Sequence, residues 1–151
     1  MAVRAGDTVP VIDTEAALTQ ALTDADAWYY ADPSVATAGA AFVAIATRLG
    51  FTSAQIAAKS HLAAGGRDAM LALAVAPELH PMGFTQLSEI RAVPTVTYVG
   101  PYPGALQTTT TYSAVIIQRT TRLADAQQLV SFCAGPEFKT RLQASGFVTT
   151  P

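Results

Sequence analysis

WYYADPSVATAGAAFVAIATRLG, residues 28–50, reads as a buried strand, a short polar loop and an apolar helix closed by glycine. Trp28, Tyr29 and Tyr30 form an aromatic run that favours a pleated, packed surface. Asp32-Pro33-Ser34 ends the run, because proline fixes φ and carries no N–H for a ladder. Thr37 is placed to cap the following helix through its hydroxyl. Gly39, in the first helical turn, would let another group approach the backbone closely. A loop of this kind at a strand end aims unpaired N–H groups at one point, which suits an anion or a carbonyl. The same features also describe an ordinary βα connection with a capped helix.

Working outward, the chain alternates between the two periodicities. Ala2–Ala5 starts extended and stops at Gly6-Asp7, and the residue before Pro10 is held extended. Asp13 or Thr14 caps a helix with Glu15 in its first turn, and Ala17, Leu18, Ala21 and Leu22 form its apolar stripe. After Gly50 come a shorter helix through Gln55–Ala57, a brief strand at Ser60–Leu62 and a helix over Arg67–Ala76. Met82–Thr85 reads as a strand, Gln86–Ile90 as a helical turn and Thr95–Val99 as another strand. Tyr112–Ile117 carries the strongest strand pattern in the chain. Helices over Leu123–Cys133 and Pro136–Ala144 finish it, the second with proline at its first position and Gly146 past its end. This order predicts an α/β fold with a mixed, mainly parallel sheet flanked by helices. In such sheets ligands sit off the carboxyl ends of the strands.

Composition narrows the function. The 151 residues suffice for one domain, half are hydrophobic and only 13% are charged. A formal net charge of -2 with scattered Lys and Arg argues against nucleic-acid binding and against a polybasic membrane patch. No apolar run reaches the ~20 residues that span a bilayer. The opening MAVRAGDTVP has no signal-peptide h-region, so the sequence reads as cytoplasmic or as a mature or truncated piece of an exported protein.

Catalytic and metal patterns do not emerge. Cys133 is the single cysteine and, between Phe132 and Ala134, is expected to be a buried thiol. His61 and His80 have no HxxE, HExxH or HxH neighbour and read as surface or turn histidines. Asp24 and Asp26 read as solvated, Gly65-Gly66-Arg67 lacks a Walker ending, and no serine has a nucleophile-elbow context. No enzyme activity, cofactor or metal is therefore expected. Loop hydroxyls and helix starts remain: Ser34, Thr37, Thr85, Gln86 and Ser88. These neutral donors suit binding without reaction, although helix capping serves Gln86 and Ser88 equally well.

Taken together, four blocks carry a resemblance: ADPSVATAGAAFVAIATRLGF (31–51), HPMGFTQLSEI (80–90), VTYVGPYPGALQTTTTYSAVII (96–117) and LVSFCAGPEFKTRLQASGF (129–147). In this order they resemble the molybdate-binding-like periplasmic solute-binding proteins, the type II, two-lobed binding components of ABC importers. The resemblance implies a type II periplasmic-binding-protein-like lobe: residues 1–151 as a single α/β domain matching the second lobe plus the closing C-terminal helices. It implies a small anionic or polar ligand, an oxyanion such as molybdate, held without catalysis. It further implies a periplasmic location and, for a full-length protein, an ABC permease as partner. Carried over by position, the loop after the Asp-Pro strand contributes backbone N–H from the Ser34–Thr37 region, with Ala36 the nearest match. The tyrosine of the later block is replaced by Gln86, which changes reach and geometry.

The resemblance also implies that most of a first lobe is not represented in this sequence, so ligand affinity should be weak or absent in the chain alone. Phe132, Phe138, Leu142 and Phe147 are then candidates for an uncovered face, and self-association is expected. A cytoplasmic ligand-sensing domain, like the effector domains of transcription regulators, is the alternative reading.

Overall fold

The aromatic run lies inside the strand Ala27–Ala31, all five residues of which are buried. A strand covered on both faces reads as a continuous apolar run instead of an alternating one, and this one does. Trp28 and Tyr30 join one core cluster and Ala27 and Tyr29 the other, so the strand is the wall between two cores. A computed structural model of the chain describes residues 1–149. The chain divides into two compact units, Met1–Thr108 and Thr109–Pro151.

The first unit runs β1 (Ala2–Arg4), α1 (Glu15–Asp24), β2 (Ala27–Ala31), α2 (Thr37–Arg48), α3 (Ser53–Lys59), β3 (Ser60–Ala63), α4 (Gly66–Ala74), β4 (Pro81–Phe84), α5 (Leu87–Arg91) and β5 (Val96–Tyr98). The sheet order is β3-β2-β4-β1-β5. β2 pairs in parallel with β3 and β4, while β1 runs antiparallel to β4 and β5. The expected mixed, mainly parallel α/β sheet is thus present, and β2, β3, β4 and β5 all end at the same edge.

One core packs Leu18 and Leu22 of α1, Phe42, Ile45 and Ala46 of α2, and Ile56 of α3 onto Trp28, Tyr30, Met82 and Phe84. The other packs Ala69, Met70 and Leu73 of α4 and Ile90 of α5 onto Ala2, Ala27 and Tyr29. Thr14 caps α1 by accepting from the Ala17 N–H at 3.0 Å, as its position before Glu15 suggests. Gly50, at φ 95, closes α2: the Gly50 and Phe51 N–H groups donate to Thr47 and Ala46 carbonyls, a Schellman arrangement.

α1 has no basic residue in its own last turn. Lys59, the last residue of α3, takes that role. Its ammonium donates to the Leu22, Thr23 and Ala25 carbonyls at 3.1, 2.7 and 2.6 Å and lies 5.3 Å from the Trp28 ring centroid. A cation at a helix C-terminus is favoured by both the dipole and the orphan carbonyls. Lys59→Met keeps the stem and removes the donor; it is expected to cost about 2 kcal/mol, read from urea unfolding midpoints. A loss under about 0.5 kcal/mol would show the contacts to be solvent-compensated.

The second unit holds α6 (Leu123–Ala134) and α7 (Pro136–Ala144), with Pro136 in the first turn and Gly146 at φ 96 past the end. Phe132 meets Phe138 at 5.4 Å and Tyr112 meets Phe147 at 5.6 Å. No described residue from 109 onward is buried. The strand expected at Tyr112–Ile117 is not formed: these residues belong to no ladder among the described residues. A β-prone pattern needs a partner strand to become a strand, and none pairs with it among the described residues. Cys133 is half-buried, not buried, and α6 holds no buried residue. Phe132 is exposed, while Phe138, Leu142 and Phe147 are half-buried.

Candidate functional site

Three turns leave the common edge of β2, β3 and β4, and two of the three hold the residues singled out from the sequence. After β2, the Asp32 N–H is tied to the Ala63 carbonyl at the end of β3 at 2.9 Å. The Asp32 carboxylate then folds back on its own loop. It accepts from the Ser34 N–H at 2.8 Å and from the Ser34 hydroxyl at 2.6 Å. Those two bonds, the hydroxyl's first, hold the Asp32 carboxyl below the usual carboxylate range. Ser34 is exposed, but both of its donors are engaged within the loop.

The helix start differs by one residue from expectation. Ala36, extended at φ -126 and ψ 125, is the N-cap of α2, and Thr37 is the first helical residue. An alanine offers no oxygen, so no side chain caps α2. The Ala36 carbonyl accepts from Ala40, which leaves the Thr37, Ala38 and Gly39 N–H groups directed off the helix start. Gly39 is buried, and the group that approaches it is internal to the protein. A Cβ at this position would overlap the Ala31 carbonyl oxygen at the end of β2. The close approach read from the sequence is real, and it belongs to helix–strand packing.

After β4, Gln86 is the N-cap of α5 and shares a reciprocal cap with Glu89. Glu89 Oε2 accepts from the Gln86 N–H at 3.4 Å and from the Thr85 hydroxyl. Capping, one of the two roles open to Gln86 from its sequence, is therefore the role it plays in this structure. The same carboxylate reaches the turn after β3. A Cβ on Gly66, the first residue of α4, would overlap both Thr85 Oγ1 and Glu89 Oε2. Asp32 and Glu89 are the edge residues that sequence reasoning passed over. Their signals were present: aspartate two residues before a serine, and Gln-x-x-Glu at a helix start.

Other polar clusters stay off this edge. His61 stacks on Tyr29 with ring centroids 4.6 Å apart, and its Nε2 is 3.4 Å from Glu78. The Tyr29 hydroxyl donates to Glu78 at 2.8 Å; burial, then this bond, pushes its pKa up to about 12. His80 pairs with Asp26 at 3.3 Å. Among the described residues no group of three or more His, Cys, Asp or Glu could hold a metal, and no helix is long and apolar enough to cross a membrane. A concavity of about 410 Å³ lies where β5 ends, walled by Pro10, Ile12, Pro101, Tyr102 and Pro103. Burial raises the Tyr102 phenol well above its ordinary range.

The edge therefore offers a helix start without a cap, two loops braced by internal carboxylates and no acid–base–nucleophile set. Such a surface can hold a small polar group. No curated protein and no solved structure matches the chain. The profile of the bacterial extracellular solute-binding proteins matches residues 1–148. By that match, which spans both units, the chain belongs to the family of bacterial extracellular solute-binding proteins.

Proposed function

We infer that the chain binds a small polar solute, without catalysis, at the edge where β2, β3 and β4 end. The observation that carries this reading is the start of α2: three backbone N–H groups with no side-chain cap, following the central strand. In its finer form the ligand is an oxyanion such as molybdate, received by the Thr37–Gly39 N–H groups. Ser34 would turn from Asp32 toward it, and Gln86 would stand at the neighbouring helix start. Residues 1–151 correspond to the second lobe and closing C-terminal helices of a two-lobed binder. That binder works in the periplasm with an ABC permease. As one side of a cleft, this chain holds its ligand weakly by itself.

Thermal unfolding with molybdate, tungstate, sulfate and small organic anions tests the site. At about tenfold excess over Kd, a ligand of the native state adds about 1.4 kcal/mol, a few degrees in Tm. Thr37→Pro removes one of the three N–H groups at a position where helices accept proline and Ala36 is already extended. Its stability should be unchanged and its affinity about tenfold lower. Silence with every anion, or a Thr37→Pro response equal to the parent's, would remove the anion from this helix start.

The same reading includes self-association through an uncovered apolar face. It is supported by Phe132, half exposed on α6, and by the absence of buried residues from 109 onward among those described.

A further inference from the structure

Residues 113–117, Ser-Ala-Val-Ile-Ile, combine the strongest strand pattern of the sequence with no strand pairing among the described residues. Val115 is 85% exposed and Ile117 74%. β-branched residues at this exposure are unusual, because their preference for strands comes from packing against neighbouring strands. The segment lies along α6: Ala114–Ile117 on one side and Leu129, Val130 and Cys133 on the other line a groove of about 330 Å³, and Ile116 is the half-buried residue of the segment. The turn closed by the Thr120 N–H on the Ile117 carbonyl ends it. The result is one β-prone segment laid on one helix, a layer that lacks its next strand.

The sequence itself indicates the occupant. No charged residue lies between Arg91 and Arg119, and neither proline nor glycine occurs from Ala105 to Gln118. Uncharged, proline-free β-prone segments pair with their own copies, since identical side chains meet without like-charge repulsion. A foreign strand would be chosen by complementary charges, and this segment carries none to complement. Arg119 and Arg122 follow directly. In a parallel pair they would be set against their own copies; in an antiparallel pair they lie at opposite ends. We propose that residues 113–117 form an antiparallel ladder with the same segment of a second copy, giving a twofold dimer backed by the α6 helix of each chain. The contact is isologous, so every residue of it counts twice. A bare two-stranded ribbon is marginal in water, and the two α6 helices supply the packing that it needs.

This rests on the self-association inferred above, places it at residues 113–117 and not at Phe132, and is tested so that the two can fail separately. Sedimentation equilibrium over about a hundredfold range of concentration should show a monomer–dimer equilibrium. Val115→Lys puts two lysines into the ladder and should weaken the dimer by about a hundredfold or more. At 85% exposure the substitution spares the fold of the monomer. Phe132→Lys, on the exposed part of α6, should leave the dimer unchanged. Amides 113–117 should gain protection from hydrogen exchange as dimers form. Dimers that survive Val115→Lys and dissociate with Phe132→Lys would keep self-association and overturn the ladder. A monomer at every concentration overturns both. A monomer whose amides 113–117 are already protected places the strand on its own chain and equally overturns the proposal.

Discussion

Phe42→Ala is expected to destabilise the first unit by about 3–5 kcal/mol, the range for emptying a buried aromatic site. The ring is fully buried. It stacks on Phe84 with centroids 3.9 Å apart and an interplanar angle of 14°. It also lies 4.8 Å from Tyr30 and meets Trp28 edge-on at 5.4 Å. These partners come from two strands, so no single side chain can swing into the space left behind. Typical domain stability is about 5–15 kcal/mol, and the loss is therefore a large fraction of the whole. Tm should fall by more than about 10 °C. A fall of only a few degrees would mean that Trp28 and Phe84 collapse together, and that the core is looser than its geometry.

Gly39→Ala carries the second largest effect, and its sign is the informative part. In a helix interior this change ordinarily stabilises by about 0.5–1 kcal/mol. At this position the new Cβ overlaps the Ala31 carbonyl oxygen and comes within 3.3 Å of the Pro33 nitrogen. Both obstacles are backbone, so the clash is relieved only by moving α2 away from β2. We expect a loss of about 3 kcal/mol, in the upper part of the range for overpacking. The displaced helix start should also abolish any ligand-induced thermal shift. Gly50→Ala is the comparison. Space is open there but φ is 95, and backbone strain alone should cost about 1 kcal/mol. Equal losses at the two positions would show that conformation, not contact, governs Gly39.

Most of the first unit was legible because each element carries its own punctuation. Thr14 before Glu15, Gly50 after Leu49 and the aromatic run at Trp28–Tyr30 are local signals, and each element formed near its expected place. The α2 start shifted from Thr37 to Ala36 because a one-residue register is decided by packing: Gly39, with no Cβ, is the residue that fits under Ala31. Tyr112–Ile117 shows the opposite limit. Alternation and β-branching are properties of one segment, whereas a strand is a property of two. Within the candidate site, the stretch Ser34–Thr37 and Gln86 were found by residue type and position at strand ends. What those residues are bonded to was signalled only by short local patterns, an aspartate two residues before Ser34 and a glutamate three residues after Gln86. Such patterns do not by themselves tell a brace from a ligand contact. A serine near a strand end reads the same whether its hydroxyl faces a ligand or a neighbouring carboxylate.

The carboxylate of Glu89 touches the turns after both β3 and β4, through Gly66 on one side and Thr85 and Gln86 on the other. A Cβ at 66 would meet both Thr85 Oγ1 and Glu89 Oε2, so positions 66, 85 and 89 should change together under substitution. A side chain becomes admissible at 66 only in a lineage that has already cleared both of those groups. Shortening 89 first would take the Glu89 acceptor from the Gln86 N–H. The chain can cross between these two states only through a weakened intermediate. The three positions should accordingly change rarely, and then as a unit.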